Sequence, residues 1–250
     1  YFATGGKDIT AGGLTVNGGT FNSASAAGTW TIGSSGVTVA SATTLIATTG
    51  NFNIAGNFTN NGTFTHNSGT VIFNGTAQQS ILGTSQNTFN NLSITNTAGL
   101  SVQSAATNLI VANNLVTVGA LSVAAGYLTV SGSSSIGANI TTSDAQSYTG
   151  VTTLTAAATT LTGSIVSFGN TLNGASALTI TGNAAFTGVV GATALTSLSV
   201  SGTSSIGANI TTYNAQTYTG AVTLTATATT LAGSIVTFSN TLNGASALTI

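Results

Sequence analysis

The sequence has almost no charged side chains. Only 1% of its 250 residues are charged, compared with about a quarter in an ordinary globular protein. The charged residues are Lys7, Asp8 and Asp144, and the formal net charge is −1 at pH 7. A polyanion needs several cationic side chains to neutralise its phosphates, so nucleic acid is excluded as a partner. Because little electrostatic repulsion opposes contact between copies, the composition favours self-association.

The side chains that usually carry chemistry are also scarce. Cysteine is absent, so disulfides and thiolate metal sites are excluded. His66 is the only histidine, and we expect it to be a polar turn or surface residue. General acid–base pairs and an activated serine each need partners that the chain hardly supplies. The sequence therefore predicts no enzyme, no cofactor and no metal site.

Helices and membrane spans are disfavoured for the same compositional reasons. Alanine is embedded among Thr, Ser and Val, and the charged helix formers are nearly missing. The most apolar stretches, 114–130 and 184–200, are broken by Gly, Thr or Ser every few residues, so we expect no membrane-spanning segment. Short runs such as 14–16, 29–32 and 37–40 alternate apolar with polar residues, which predicts short half-buried strands.

What the chain does have is a tandem repeat. Residues 128–180 and 198–250 align at a constant offset of 70, with 42 of 53 positions identical. A fixed period predicts a repeat architecture in which each unit buries its apolar face against the next. We interpret the 70-residue unit as three coils of roughly 23 residues, giving an all-β parallel β-helix (β-solenoid) of about eleven coils. The alternative is a string of small β-sandwich domains, which the short strands and the missing linkers disfavour.

The whole chain, 1–250, is predicted to be one continuous β-solenoid. Its parts are N-terminal coils (1–50), Asn/Phe-rich coils with an eroded repeat (51–127), a first repeat unit (128–197) and a truncated second unit (198–250). Stacked coils would place Asn side chains above one another in amide ladders. The eroded repeat rests on a weak match of 104–110 to 174–180. Because the second unit stops at the counterpart of Ile180, we expect a piece of a longer array.

Three segments carry a resemblance to a known class of proteins. ANITTYNAQTYTGAVTLTATATTLAGSIVTFSNTLNGASALTI (208–250) resembles repeats of large bacterial exoproteins of the filamentous-haemagglutinin type and related autotransporter-like adhesins. NFTNNGTFTHNSGTVIFNGTAQQSI (57–81) and TFNNLSITN (88–96) resemble another repeat of giant bacterial surface proteins. The resemblance implies a right-handed parallel β-helix, secretion to the cell surface, and a role as an adhesin, surface fibre or coat.

Aromatic residues supply the only candidate binding sites. Tyr148 and Tyr218 are equivalent in the two copies and would bind glycans if they formed an exposed pair; the other interpretation is an interior stack. Tyr213 aligns with Ser143, so we expect it on the surface as a third candidate glycan contact. Trp30 is expected in the core or at an end rather than as a platform for sugars.

Two further surface hypotheses come from Asn and Thr. Asn-x-Thr/Ser sequons occur in numbers that chance would produce in this composition, so we expect them to stay bare; they begin at Asn57, Asn61, Asn74, Asn91, Asn139 and Asn209. A flat Thr array binds ice only if each coil contributes one Thr-x-Thr in register. The sequence shows such runs irregularly, as at 29–31, 63–65, 153–155 and 223–225.

These observations predict a structural role. We expect a segment of an extracellular bacterial surface fibre, sheath or filament that self-associates end to end or laterally through stacked coils. Its partners would be copies of itself or further repeats of the same chain. The alternative is the shaft or binding module of a secreted adhesin that recognises a cell surface or a glycan.

Overall fold

The structure is a computed structural model that describes residues 2–3, 5–23, 27–105 and 108–250. It is all-β, with no helix among these residues. The strands fall into two compact units, Tyr1–Gly126 and Tyr127–Ile250. The weak match of 104–110 to the repeat includes residues 106 and 107, which lie outside the described residues.

The strands are short because turns interrupt the chain every few residues. The strands of the first unit are β1 (Phe2–Ala3), β2 (Ile9–Val16), β3 (Thr20–Asn22), β4 (Trp30–Val39), β5 (Thr44–Ile46), β6 (Asn51–Ile54), β7 (Phe58–Asn60), β8 (Thr63–Thr65), β9 (Thr70–Phe73), β10 (Gln79–Gly83), β11 (Asn87–Phe89), β12 (Asn91–Ile94), β13 (Leu100–Val102), β14 (Leu109–Val111), β15 (Leu115–Thr117) and β16 (Leu121–Val123).

The second unit continues the same pattern of short strands. Its strands are β17 (Leu128–Val130), β18 (Ser134–Ile136), β19 (Ile140–Thr142), β20 (Gln146–Tyr148), β21 (Thr152–Leu154), β22 (Ala158–Phe168), β23 (Leu172–Asn173), β24 (Ala177–Phe186), β25 (Val190–Leu195), β26 (Ser197–Val200), β27 (Ser204–Ile206), β28 (Ile210–Thr212), β29 (Gln216–Tyr218), β30 (Val222–Leu224), β31 (Ala228–Ala232), β32 (Val236–Phe238), β33 (Leu242–Asn243) and β34 (Ala247–Thr249).

In each unit, successive turns are joined by parallel pairing of their strands, and most strands pair with one strand of the turn before and one of the turn after. In the first unit the paired residues lie 19 to 24 positions apart, as in Phe2–Phe21 and Thr20–Thr44. In the second unit they lie 17 to 21 apart, the longest example being Ile140–Leu161. The chain makes about 12 turns of a parallel β-solenoid, which confirms the predicted fold. The predicted coil length matches the first unit, whereas the second is wound with fewer residues per turn.

Each turn of the second unit has three faces, which we number by their first strand. The first face begins with β17, the second with β18 and the third with β19. The long strands β22 and β24 bend around a corner, so their first halves lie on the third face and their second halves on the first. The third face contains β19, β22 (first half), β24 (first half), β26, β29 and β32.

The two repeat copies therefore lie on different faces. From β17 to its counterpart β26 the chain passes through eleven strand positions, because β22 and β24 count twice. Eleven strands are three and two-thirds turns, so β17 lies on the first face and β26 on the third. The interpretation of the 70-residue unit as three coils was wrong, because these turns are shorter than 23 residues. The strands of the second copy therefore lie one face further round the solenoid than their counterparts in the first copy.

The core is built from columns of inward-facing side chains. Alternate residues of the short strands are buried, which is the two-residue period of a strand. One column of the second unit runs through Val130, Tyr148, Phe168 and Phe186. Glycine is required where the backbones of adjacent turns approach closely. At Gly174, with φ of 118°, a Cβ atom would lie 2.1 Å from the carbonyl oxygen of Leu154.

Candidate functional site

The equivalent tyrosines Tyr148 and Tyr218 lie inside the second unit. Both have no exposed surface. Tyr148 stacks on Phe168 at 5.4 Å between ring centroids, and Phe168 stacks on Phe186 at 5.8 Å. Tyr218 stacks in the same way on Phe238 at 5.5 Å. Because these rings are the core, the hypothesis that they contact glycans on the surface was wrong, and the interior stack is what the structure contains.

Each buried tyrosine is joined to a buried glutamine that the sequence analysis missed. The hydroxyl of Tyr148 donates to Oε1 of Gln146 at 2.8 Å. Nε2 of Gln146 donates to the carbonyl oxygens of Ile140 and Thr162, at 3.1 and 2.8 Å. These carbonyls lie on adjacent turns, so one amide ties two turns together at a corner. The available signal was the unchanged Gln-x-Tyr-Thr-Gly in both copies.

The second copy repeats this arrangement on another face. Tyr218 donates to Gln216 at 2.9 Å, and Gln216 donates to the carbonyls of Ile210 and Ala232 at 3.2 and 2.9 Å. Burial raises the pKa of both phenols far above its ordinary value, because an ionised phenolate would lose its hydration. Both hydroxyls therefore remain protonated hydrogen-bond donors.

Tyr213 is the one candidate tyrosine that lies on the surface. Its side chain is 67% exposed, and its backbone N–H donates to the carbonyl of Leu195 one turn earlier. Its position, just before β29, is a corner of the solenoid. The prediction that this position is exposed is confirmed, whereas a glycan contact remains a hypothesis.

The titratable groups do not converge. Lys7 and Asp8 are exposed in the first unit, where Oδ1 of Asp8 accepts the backbone N–H of Thr29 at 2.7 Å. Asp144 is exposed in the second unit. Nδ1 of His66 accepts the N–H of Ser68 in a turn, and partial burial lowers the pKa of this imidazole. In the described ranges, no group of three or more His, Asp or Glu residues could hold a metal ion.

Asparagine side chains connect successive turns. Asn139 and Asn209 are equivalent in the two copies, and their Oδ1 atoms accept the backbone N–H of Thr160 and Thr230, each at 2.8 Å. Such bonds satisfy backbone donors at corners, where the strand ladder is interrupted. In the first unit, two pairs of Asn side chains bond directly between turns: Nδ2 of Asn60 donates to Oδ1 of Asn87 at 3.2 Å, and Nδ2 of Asn113 donates to Oδ1 of Asn91 at 3.0 Å. Continuous amide ladders stay a prediction. Further residues of this kind are Asn57, Asn61, Asn173 and Asn183.

Two side chains of the first unit, Trp30 and Gln79, are held by contacts within that unit. Trp30 has no exposed surface and packs edge-on against Phe21 and Phe52, which confirms its predicted place in the core. A cleft of about 250 Å³ lies at a corner beside Gln79. The Gln79 amide already bonds Gly75, Ile54, Gly56 and Asn96, so it offers no free group to a ligand.

The last turn of the second unit exposes side chains that are buried one copy earlier. Phe168, Leu172 and Ile180 have at most 1% of their surface exposed. Their counterparts are half-buried Phe238, Leu242 at 39% and Ile250 at 69% exposure. Because the sequences are nearly the same, the difference comes from the turn that covers the first set. This apolar edge of the second unit, formed by Phe238, Leu242 and Ile250, is called the open edge below.

Comparison of the chain with protein-family models, curated proteins and solved structures found no match. The described part of the chain contains no helix long and apolar enough to cross a bilayer.

Proposed function

We propose that this chain is a structural segment of an extracellular bacterial surface fibre, sheath or filament, with no catalytic role. In this proposal it self-associates through its stacked β-coils, either with further repeats of the same chain or with a second copy. The observation that carries the proposal is the parallel stacking of short strands, turn upon turn, around columns of buried side chains. A turn built in this way pairs with a further turn of the same kind.

The repeat supports this role because it tolerates rotation. One sequence forms strands on the first face in copy one and on the third face in copy two. The same strand sequence therefore pairs on two of the three faces, so a further repeat copy can follow without having to return to one fixed face. The net charge of −1 leaves little repulsion between subunits.

The test compares two lysine substitutions at equally exposed positions. Ile250→Lys places a charge on the open edge, whereas Tyr213→Lys places one on a side corner; the wild-type side chains are 69% and 67% exposed. We expect electron microscopy to show filaments for the wild type and for Tyr213→Lys, and short particles for Ile250→Lys. Isolated particles for all three proteins at high concentration would contradict the proposal.

A second candidate function is an adhesin shaft with a binding residue on its side. The exposed ring of Tyr213 favours it, since exposed aromatic rings are common in binding surfaces. The matched variant is Tyr213→Ser, which restores the residue that the first copy has at Ser143. A glycan array on which the wild type binds and Tyr213→Ser does not would favour the adhesin; no binding by either protein would leave a shaft.

A further inference from the structure

The third face of the second unit carries two straight ranks of hydroxyl side chains. The first rank pairs in register over five successive turns, and the second lies two residues further along each strand. Backbone bonds from Ser201, Thr219 and Ser239 continue the ladder at the second rank. The third-face ranks are Thr160, Thr179, Ser199, Thr217 and Thr237, and Thr162, Thr181, Ser201, Thr219 and Ser239.

We propose that these third-face ranks bind crystalline water, that is, the surface of ice. In-register parallel strands hold side chains about 4.8 Å apart along a rank, and residues two apart in a strand are about 6.6 Å apart across the ranks. On the prism face of hexagonal ice, oxygen atoms repeat at a distance close to the first of these in one direction and somewhat longer than the second in the other. The two ranks thus offer a hydroxyl group at each of the ten points of such a lattice, and a methyl group at the seven points that are threonine.

The hydroxyl groups are available for this contact. No hydrogen bond within the described chain involves the side-chain hydroxyl of any threonine in the ranks. Ser201 differs, since its Oγ accepts the N–H of Gly182 at 3.0 Å. All ten side chains are exposed or half-buried. Because threonine is branched at Cβ, its χ1 angle is restricted and the grid is ordered before it meets a ligand.

The chemistry of the ranks favours water over a sugar or a protein. The ranks contain only hydroxyl and methyl groups, with neither the aromatic ring that stacks on sugars nor a charge. A charged side chain would hold a hydration shell of its own and disturb an ordered layer. Bridging waters cost little to immobilise where protein groups already match their positions.

Differences between the repeat copies point to the same face. Five of the 11 differing positions face outward on the third face in one copy and on another face in the other copy. At four of these five positions, the residue on the third face is either the larger of two hydroxyl residues or the only hydroxyl residue of the pair. The five pairs, with the third-face residue second, are Thr129/Ser199, Ser147/Thr217, Ala232/Thr162, Ser167/Thr237 and Gly169/Ser239.

This organisation was hidden in the sequence. The runs at 153–155 and 223–225 stand out in the sequence but lie on the second and first faces. The third-face runs are spaced unevenly, 19, 20, 18 and 20 residues apart, and appear irregular until the turns are placed in register. The expectation of an irregular Thr array is therefore wrong for this face.

The experiment measures adsorption of the whole chain to ice. An ice shell is grown slowly from dilute protein, the fraction of protein in the ice is measured, and thermal hysteresis is recorded on the same sample. We expect the wild type to enter the ice, and the double variant Thr179→Lys/Thr217→Lys to lose incorporation and hysteresis. The matched control Thr153→Lys/Thr223→Lys changes exposed threonines on the other two faces and should behave as the wild type.

A variant that gains activity complements the loss-of-function variants, because misfolding cannot explain a gain. Ser199→Thr completes the first rank as an unbroken row of threonines, and we expect it to increase thermal hysteresis. Circular dichroism and the urea midpoint establish that each variant is folded. Exclusion of the folded wild type from ice, or equal losses in the third-face and control variants, would overturn the proposal.

Discussion

At the scale of single residues, buried amides decide how the corners of the second unit are held. Gln146 satisfies two backbone carbonyls and one phenol from inside the core. Leaving a buried polar group without its partner costs about 1–3 kcal/mol. The Gln146 amide therefore contributes more to stability than the Tyr148 hydroxyl, because the amide bonds three groups and the hydroxyl bonds one.

We predict that Gln146→Ala lowers the free energy of unfolding more than Tyr148→Phe does. The first change removes the acceptor of the Tyr148 hydroxyl and a donor to the carbonyls of Ile140 and Thr162, the second of which also accepts from Oγ1 of Thr142 at 3.4 Å. Its expected cost is about 3–5 kcal/mol with the cavity included, whereas the second change leaves one oxygen without its donor, at about 1–2 kcal/mol. Urea titration followed by circular dichroism measures both. Gln78→Ala, at an exposed position, is the control and should have little effect; equal losses for the first two variants would contradict the argument.

The buried phenols also predict a loss of stability in alkali. Burial raises the pKa of Tyr148 and Tyr218 in the folded chain, while the unfolded phenols ionise near the ordinary phenol pKa of 10.0. The contribution of these two phenols to stability is therefore constant below pH 10 and falls above it, because the unfolded state releases protons that the folded state keeps. The slope approaches about 1.4 kcal/mol per pH unit for each buried phenol. The variant Tyr148→Phe/Tyr218→Phe, titrated with urea from pH 8 to 11, should show a clearly shallower decline.

At the scale of elements, identical strands differ in stability according to what covers them. The strands that carry Phe168 and Phe238 have nearly the same sequence, yet only Phe168 lies between two aromatic neighbours. The free energy that a side chain contributes therefore depends on its turn and not on its sequence alone.

We predict that Phe168→Ala is much more destabilising than Phe238→Ala. Removing a fully buried phenylalanine typically costs about 3–5 kcal/mol, and half-buried Phe238 should cost well under that. Urea titration at low protein concentration gives both values. If subunits cover the open edge, raising the concentration should increase the cost of Phe238→Ala toward that of Phe168→Ala. Equal costs at every concentration would mean that coverage does not set the contribution.

The sequence predicted the strands better than their arrangement. Alternation of apolar and polar residues identified short strands, and the constant offset identified stacking, because both are local or periodic signals. The interior place of Trp30 followed from its size and apolar character. The face on which each strand lies did not follow, because the number of residues per turn is set by corners whose lengths vary. Because each turn was predicted to be a few residues too long, the 70-residue unit was assigned three turns instead of three and two-thirds.

The positions of the site residues also depend on how the strands are arranged, which the sequence did not predict. Tyr148 and Tyr218 alternate with polar neighbours in the sequence, and that pattern does not reveal which side of the strand faces the core. Gln146 was overlooked because a polar residue is expected to face solvent unless its buried partners are known. The Thr ranks were overlooked because rank membership depends on the register between turns.

At the scale of the whole molecule, the repeat behaves as a unit of eleven strands that can be added or removed in phase. Removing residues 140–209 joins Asn139 to Ile210 and restores the Asn-Ile-Thr-Thr sequence that each copy already contains. The strands of the second copy would then take the positions that the first copy holds now. Each strand after the junction would then pair with the strand that its counterpart in the first copy pairs with now. Its inward-facing side chains would therefore stay in the core.

We predict that the chain lacking 140–209 folds, with a β-type circular dichroism spectrum and a cooperative urea transition. The control deletes one residue more, 140–210, and places Thr211 in the core position of Ile140. A shift of one residue exchanges the inward and outward sets of a strand, so this protein should be markedly less stable. The in-phase deletion also moves Thr217 and Thr219 from the third face to the first, which breaks the ranks. It should therefore lose adsorption to ice while remaining folded, and equal stability of the two deletions would contradict the eleven-strand repeat.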